Sequence, residues 1–393
     1  MRGDRPILIL ATSQTLVWAG LFYLFPATLL RWETSFGWSK TSLTFAFTLA
    51  VLGSALASPL AGKLIDRGFG PRLMGGSTAI GGLAVIGLSQ VDNIWQFYVV
   101  WGIVGLAMAG SLYDACFALV THARGADARR GIVLITLVAG FAGTVSFPLV
   151  HVLSEAFGWR VAVFWIGAGV VVLVAPLQWI GARGVAGDGV VTDKATIRPE
   201  TRVHQRPEFW LLGIGLAMLS LMHGAVLNHL LPLLSERAIP LEFAVLVASL
   251  IGPMQVVGRL VMVSLQSRFV ATQFMLAAYF TMIAAVVALL FAERSQALVL
   301  LFVVLYGSAW GTVSILRPLI AREILGAQNF GAKSGALALL FLMASAAAAY
   351  VGAVLWAIGG YALMLVVLIV LALLGSGLYV AALRQARQSS GKS

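Results

Sequence analysis

The sequence predicts an all-α membrane protein of twelve transmembrane helices, arranged as two pseudo-symmetric six-helix bundles. Three observations carry this expectation. Of the 393 residues, 60% are hydrophobic and only 10% are charged, where a soluble domain carries about 25% charge. A water-soluble core cannot bury that much apolar surface, whereas lipid accepts it directly. Apolar stretches of about 20 or more residues recur along the whole chain. The longest polar segment, from Arg183 to Glu208, divides those stretches six and six.

The predicted spans are 7–30, 41–65, 72–91, 95–121, 131–154, 160–182, 209–233, 241–266, 272–292, 297–320, 333–358 and 361–383. They are too long and too uniformly apolar for the short alternating strands of a membrane β-barrel. The first span follows Met1–Pro6 with no small-residue processing site between, so it is expected to be retained. It carries Gln14, Thr15, Trp18 and Tyr23, with Pro26 as a kink. The second ends in a charged, Gly-rich turn, Gly62-Lys63-Leu64-Ile65-Asp66-Arg67-Gly68-Phe69-Gly70-Pro71-Arg72, which leads into the third. The fourth contains Tyr113 and Asp114, and the fifth reads Gly140 to Pro148 without a Gly-Pro pair. The sixth follows Gly158-Trp159-Arg160. Beyond the polar segment, the seventh span holds His223, Asn228, His229 and Pro232, the eighth Gln255 and Arg259, and the tenth Arg317-Pro318. The expected domains are therefore an N-terminal bundle at 1–182, a cytoplasmic linker at 183–208 and a C-terminal bundle with a short tail at 209–393. Eleven Trp and 42 Gly suit interfacial anchoring and close helix packing.

The net charge of +11 does not point to nucleic acid, because the basic residues sit in short loops between apolar spans. With the N-terminus inside, 19 Lys and Arg fall on the inner side and five on the outer, so both termini are expected in the cytoplasm. The single cysteine, Cys116, excludes an intrachain disulfide framework and a cysteine-based metal cluster. The sequence has no P-loop, no catalytic carboxylate pair, no His-Glu-x-x-His and no nucleophile elbow. Neither an enzyme nor a cofactor is expected. Transport without a nucleotide motif has to draw on an ion or substrate gradient.

The turn at 62–72, placed between the second and third spans, resembles the signature loop of the major facilitator superfamily of secondary transporters. Gly70 falls one place later than the commonest pattern of that loop. A weaker copy follows two spans into the second half, at Val263-Ser264-Leu265-Gln266-Ser267-Arg268, where Ser267 stands in the acid's place. Internal repeats of this kind build such carriers, with the site near mid-membrane. The motif residues carried over are Gly62, Asp66, Arg67, Gly70, Arg72 and Arg268. The resemblance implies a cytoplasmic gate at this turn, with Asp66 near the start of the eleventh helix at Lys333-Ser334. Phe36-Gly37-Trp38-Ser39, Gly158-Trp159-Arg160 and Gln255-x-x-x-Arg259 are similar to the monocarboxylate and oxalate:formate branch. There Gln255 replaces an acid often found four residues before the arginine.

An intramembrane charge is a functional candidate by default. Asp114 is the one carboxylate well inside a predicted span, and it is the candidate for proton coupling. Its alternative is a structural partner for an arginine or hydroxyl on a neighbouring helix. By resemblance, helices 1, 4, 7 and 10 line a central cavity. Asp114 and Arg317 are then expected either to close it as a pair on the cytoplasmic side or to let Arg317 bind an anion when Asp114 is protonated, with snorkelling of Arg317 as the alternative. Arg259, one helical turn after Gln255, is a candidate ligand for a substrate carboxylate. Its alternative is membership of the eroded gate copy. Tyr23, Trp18, Tyr113, His229 and Asn228 complete the substrate-binding candidates, with packing as the competing role. His223 and His229 face different directions, so they form no metal cluster.

The leading expectation is a proton-coupled symporter of a small organic anion such as a monocarboxylate, working by alternating access. It would be a monomer in a bacterial cytoplasmic membrane, with a small-molecule substrate, the proton and the bilayer as partners. The alternative is proton-coupled efflux of a drug or other toxic compound. A receptor without turnover is the third reading.

Overall fold

Inside lipid no water is available to the backbone, so each apolar stretch has to satisfy its own N–H and C=O groups, and the helix does this. The computed structural model describes residues 5–125, 128–187, 203–326 and 330–390, and all regular structure among them is helical. The chain divides into a first unit, Met1–Lys194, and a second, Ala195–Ser393.

The first unit holds α1 (Arg5–Val17), α2 (Leu24–Phe36), α3 (Lys40–Leu64), α4 (Gly70–Leu88), α5 (Ile94–Ser111), α6 (Tyr113–Arg124), α7 (Ala128–Ala139), α8 (Ala142–Phe157), α9 (Trp159–Gly169) and α10 (Ala175–Ala186). The second holds α11 (Pro207–Glu236), α12 (Leu241–Leu265), α13 (Ala271–Leu290), α14 (Gln296–Leu325) and α15 (Phe330–Ser390). Ten helical runs among the described residues are long and apolar enough to cross a membrane. Two of them, Lys40–Leu88 and Lys333–Gln388, each cover two of the predicted stretches. The first turns at Gly68 (φ 84°) and the second at Gly359 and Gly360 (φ −156° and 69°).

The units differ in how continuous their spans are. In the first unit the first and sixth spans pass through π turns at Trp18–Phe22 and Val170–Val174. The fourth breaks at Leu112 and the fifth at Gly140–Phe141. In the second unit α11 and α14 run unbroken for 30 residues each, through Pro232 and Pro318. The irregular turns are supplied with partners. Ser146 donates to the carbonyl of Ala19 at 2.9 Å, and Gly20 lets the first π turn approach Val170 in the second.

Close approach depends on missing side chains. A Cβ on Gly105 of α5 would collide with the backbone of Ala50 in α3, and one on Gly258 of α12 with the backbone of Ser308 in α14. A Cβ on Gly311 would likewise meet the carbonyl of Gln255. Backbones in van der Waals contact maximise packing where no hydrophobic drive acts between helices. Ile7, Leu10, Ile65, Met74, Cys116, Leu119 and Val120 form one core cluster of the first unit.

Two boundaries move. The expected linker at 183–208 is helical at both ends, because α10 runs to Ala186 and α11 starts at Pro207. Its residues 188–202 lie outside the described residues. The turn at 62–72 is not an open loop. α3 continues through Gly62 to Leu64, a π turn takes Ile65–Phe69, and Gly70 already starts α4 with Pro71 in its first turn.

Candidate functional site

The break in the fourth span organises the polar groups of the first unit. The α5 ladder ends with the Leu112 N–H on Met108, and α6 restarts with the Cys116 N–H on Leu112. Leu112 itself is extended, with φ −85° and ψ −164°. The Ser111 carbonyl accepts side-chain amides from two other spans, Gln14 Nε2 on α1 and Gln178 Nε2 on α10, each at 2.7 Å. Ser13 Oγ donates to Gln178 Oε1 at 2.5 Å. Ser13, Gln14, Ser111 and Gln178 are all buried.

Asp114, expected well inside the fourth span, lies within the run Ile94–Arg124 and stands there in the first turn of α6. A helix N-terminus carries free N–H groups and a partial positive charge, which favour a carboxylate. The side chain is exposed on this unit, and Ser58 Oγ of α3 donates to Oδ2 at 3.4 Å. Beside it the Trp18 ring lies 4.7 Å from Tyr113, and Tyr113 stacks on Phe117 at 4.9 Å. Tyr23 sits edge-on to Phe22 and Phe147. Two buried polar atoms of this region, Gln14 Oε1 and Trp18 Nε1, have no hydrogen-bond partner.

The second unit carries a ladder of rings. His223 of α11 stacks on Trp310 of α14 at 3.5 Å and 8°, and on Tyr306 at 5.2 Å. Trp310 is near-parallel to Phe341 of α15 at 5.9 Å, and the Arg317 guanidinium lies 4.4 Å from the Phe341 centroid. Arg317 therefore has an aromatic face to rest on, a cation–π contact. Tyr306 Oη donates to the His223 carbonyl at 2.7 Å, and His223 Nδ1 is buried without a partner.

Arg259 is buried on α12, and its Nε donates to the Gly311 carbonyl of α14 at 2.9 Å, with Ser314 Oγ at 3.5 Å from Nη2. Gln255 is buried on the same helix, its backbone against Gly311. Asn228 Nδ2 donates within its own helix to Gly224, and its Oδ1 has no partner. His229 is fully buried, with Nε2 2.8 Å from the Ala349 carbonyl and Nδ1 3.4 Å from Tyr361 Oη. His223 and His229 point at different helices. Among the described residues no cluster of three or more His, Cys, Asp or Glu could hold a metal.

Of the turn residues, Asp66 lies 4.0 Å from His122 Nδ1, and Arg67, Arg72 and Arg268 are exposed. Gly70 is packed against Leu119, so a side chain there would push into α6. Lys333 is buried and donates to the carbonyl of Leu325, at the end of α14.

Sequence reasoning missed Gln178, Ser111, Trp310, Tyr306 and Phe341. The signal for Gln178 was present, since an amide inside an apolar span needs partners as a charge does.

A family model described as the Major Facilitator Superfamily matches residues 7–347. Curated relatives include the multidrug resistance protein MdtG of Serratia proteamaculans, 35% identical over 127 residues, which are 32% of this chain and 30% of that protein. MdtG of Yersinia enterocolitica is 31% identical over 140 residues, 35% of this chain and 33% of that one. The match thus spans about a third of these relatives. Among solved structures, a bacterial homolog of the human lysosomal transporter Spinster, inward-facing and unoccupied, aligns over 98% of both chains with a TM-score of 0.72 at 14% identity. The nucleoside transporter NupG aligns over 98% of this chain and 99% of its own, with a TM-score of 0.70 at 13% identity. These identities speak for the fold alone. Matched by its family model over nearly its whole length, this membrane chain belongs to the Major Facilitator Superfamily.

Proposed function

We propose that the chain is a proton-coupled exporter of lipophilic, ring-containing compounds. It would have twelve spans, six in each unit, both termini in the cytoplasm, and would work by alternating access as a monomer in a bacterial inner membrane. One observation carries the choice of cargo. Each unit offers a cluster of aromatic faces beside unpaired buried polar atoms, Trp18–Tyr113–Phe117 in the first and Phe341–Trp310–His223–Tyr306 in the second. Aromatic pockets hold flat apolar ligands, and a few polar atoms fix their orientation. The name of the MdtG relatives supports the same class. Asp114 is the proton-carrying group in this reading, and Trp18, Tyr113 and Trp310 touch the cargo. The turn with Asp66, Arg67 and Arg72 serves the gate at the inner face.

The organic-anion reading keeps one specific support, Arg317 resting on Phe341. Arg259 supports it less, because its Nε is turned onto the Gly311 carbonyl. The discriminating experiment is reconstitution in liposomes under a pH gradient, with ethidium and labelled lactate as probes. Ethidium movement against proton flow is the expected result. Lactate uptake with inward protons, and no ethidium movement, would replace it with the anion symporter.

A further inference from the structure

We propose that Gln14 and Gln178 are positioning residues of transport: by holding the Ser111 carbonyl they keep the fourth span broken at Leu112, and the break is the joint whose closure accompanies protonation of Asp114. The inference rests on the reading of Asp114 as the proton carrier.

A break inside lipid leaves two kinds of orphan group, carbonyls above it and N–H groups below it. Both kinds have an identifiable answer here. The Ser111 carbonyl would accept from the Ala115 N–H in a continuous helix, and it is instead taken by two amide N–H groups from α1 and α10. The free N–H groups at the start of α6 face a first turn that contains Asp114. The ionised carboxylate complements that positive end, whereas the neutral acid does so weakly. Two arrangements of one segment therefore compete. In the broken one Ser111 is held by Gln14 and Gln178, and Asp114 is ionised. In the continuous one the ladder runs from Ser111 to Ala115, the positive end is gone, and the proton is retained. A group that is ionised in one state and protonated in the other biases the equilibrium by linkage.

Ser58 is the neighbour of Asp114 on α3. The charged or titratable groups on the elements packed against α6 include Lys40 and Lys63 on α3, Asp66 and Arg67 on the π turn, Arg72 on α4, Tyr98 on α5, Arg129 and Arg130 on α7 and Arg183 on α10, with His122 and Arg124 on α6 itself. Contacts of their segments lie lower on α6, Gly70 on Leu119, Gly131 on Val120 and Asp66 on His122. Cys116 lies between, buried in the core. The second unit offers a comparison. There the Arg259 guanidinium reaches the Gly311 carbonyl at a similar place along α14, which stays continuous and carries no carboxylate at that level.

The test is amide hydrogen exchange of the segment 109–118 in the full chain, held in lipid nanodiscs at one pH. Asp114→Asn, the mimic of the neutral acid, is expected to slow exchange there about tenfold, as is Gln14→Leu combined with Gln178→Leu. Tyr113→Pro is the opposite lock. Proline fits the first helical position, and the extended Leu112 before it suits a pre-proline residue, but a continuous ladder is forbidden. Ethidium transport by Tyr113→Pro is expected to fall at least about tenfold below that of Tyr113→Ala, which loses the same ring. Unchanged exchange in Asp114→Asn, or equal transport by the two Tyr113 variants, overturns the proposal. Transport indifferent to pH, with the exchange shift intact, removes the proton reading and leaves the joint.

Discussion

A single atom can distinguish the roles of the arginines. Arg259 uses Nε, the nitrogen that lysine lacks, to reach the Gly311 carbonyl. Arg259→Lys is therefore expected to behave almost like Arg259→Leu, with a loss of about 1–3 kcal/mol from the buried unpaired groups. Thermal unfolding in detergent reads this directly, and a lysine variant as stable as the parent would contradict it. Arg317 has a different basis, the face of Phe341. There Phe341→Leu removes a contact of about 0.5–2 kcal/mol, whereas Phe341→Trp keeps it. For cargo, Trp18→Ala and Trp310→Ala are each expected to lower ethidium transport about tenfold, about 1.4 kcal/mol of binding. A histidine substituted for Trp310 would keep a flat ring but less surface, and should fall between. Residues carrying charge were legible in the sequence because charge in lipid is rare and conspicuous. The amides were less so. Gln14 and Gln178 gain their meaning from a carbonyl on a third span, and no local pattern announces that meeting.

At the scale of elements, glycine contacts set which helices behave as pairs. α3 with α5, and α12 with α14, approach until backbones touch. Gly105→Leu and Gly258→Leu would drive a side chain into Ala50 or Ser308, and each is expected to cost at least about 1–3 kcal/mol. Gly53→Ala meets nothing within 4 Å and is the matched control. If Gly105→Leu melted with the control, the pairing would be looser than described. The apolar spans themselves were readable because hydropathy and length are one-dimensional quantities. Their interruptions were not. Leu112 and the pair Gly140–Phe141 break helices without a proline, while Pro232 and Pro318 sit inside unbroken ones. In a bundle the partner of a freed carbonyl decides continuity, and that partner comes from elsewhere in the chain.

For the whole molecule, the two units differ in how continuous their helices are. The first has four interrupted spans and the second has unbroken helices at α11 to α14. Such interruptions are where a helix bends cheaply, so the first unit is expected to show the faster amide exchange at span centres. Comparable protection in α5–α6 and α14 would count against that. The turn at Gly68 is a second whole-chain lever, since its φ of 84° is costly for a side chain. Gly68→Ala is expected to lose roughly 1–2 kcal/mol, read as a lower unfolding temperature. The superfamily architecture was legible in the charged turn and the span pattern, because both follow from what lipid allows. The cargo was not, because aromatic rings in a bundle read alike whether they pack or bind.

The one thiol of the chain gives these movements a witness. Cys116 is fully buried, and its own N–H closes the first bond of the restarted helix. Because these 393 residues hold no other cysteine, the chain is already a single-site labelling template. A maleimide will report on nothing but the packing around the joint. Its reaction rate, followed in native membranes as pH or cargo is changed, times each opening of that region without a substitution having been made.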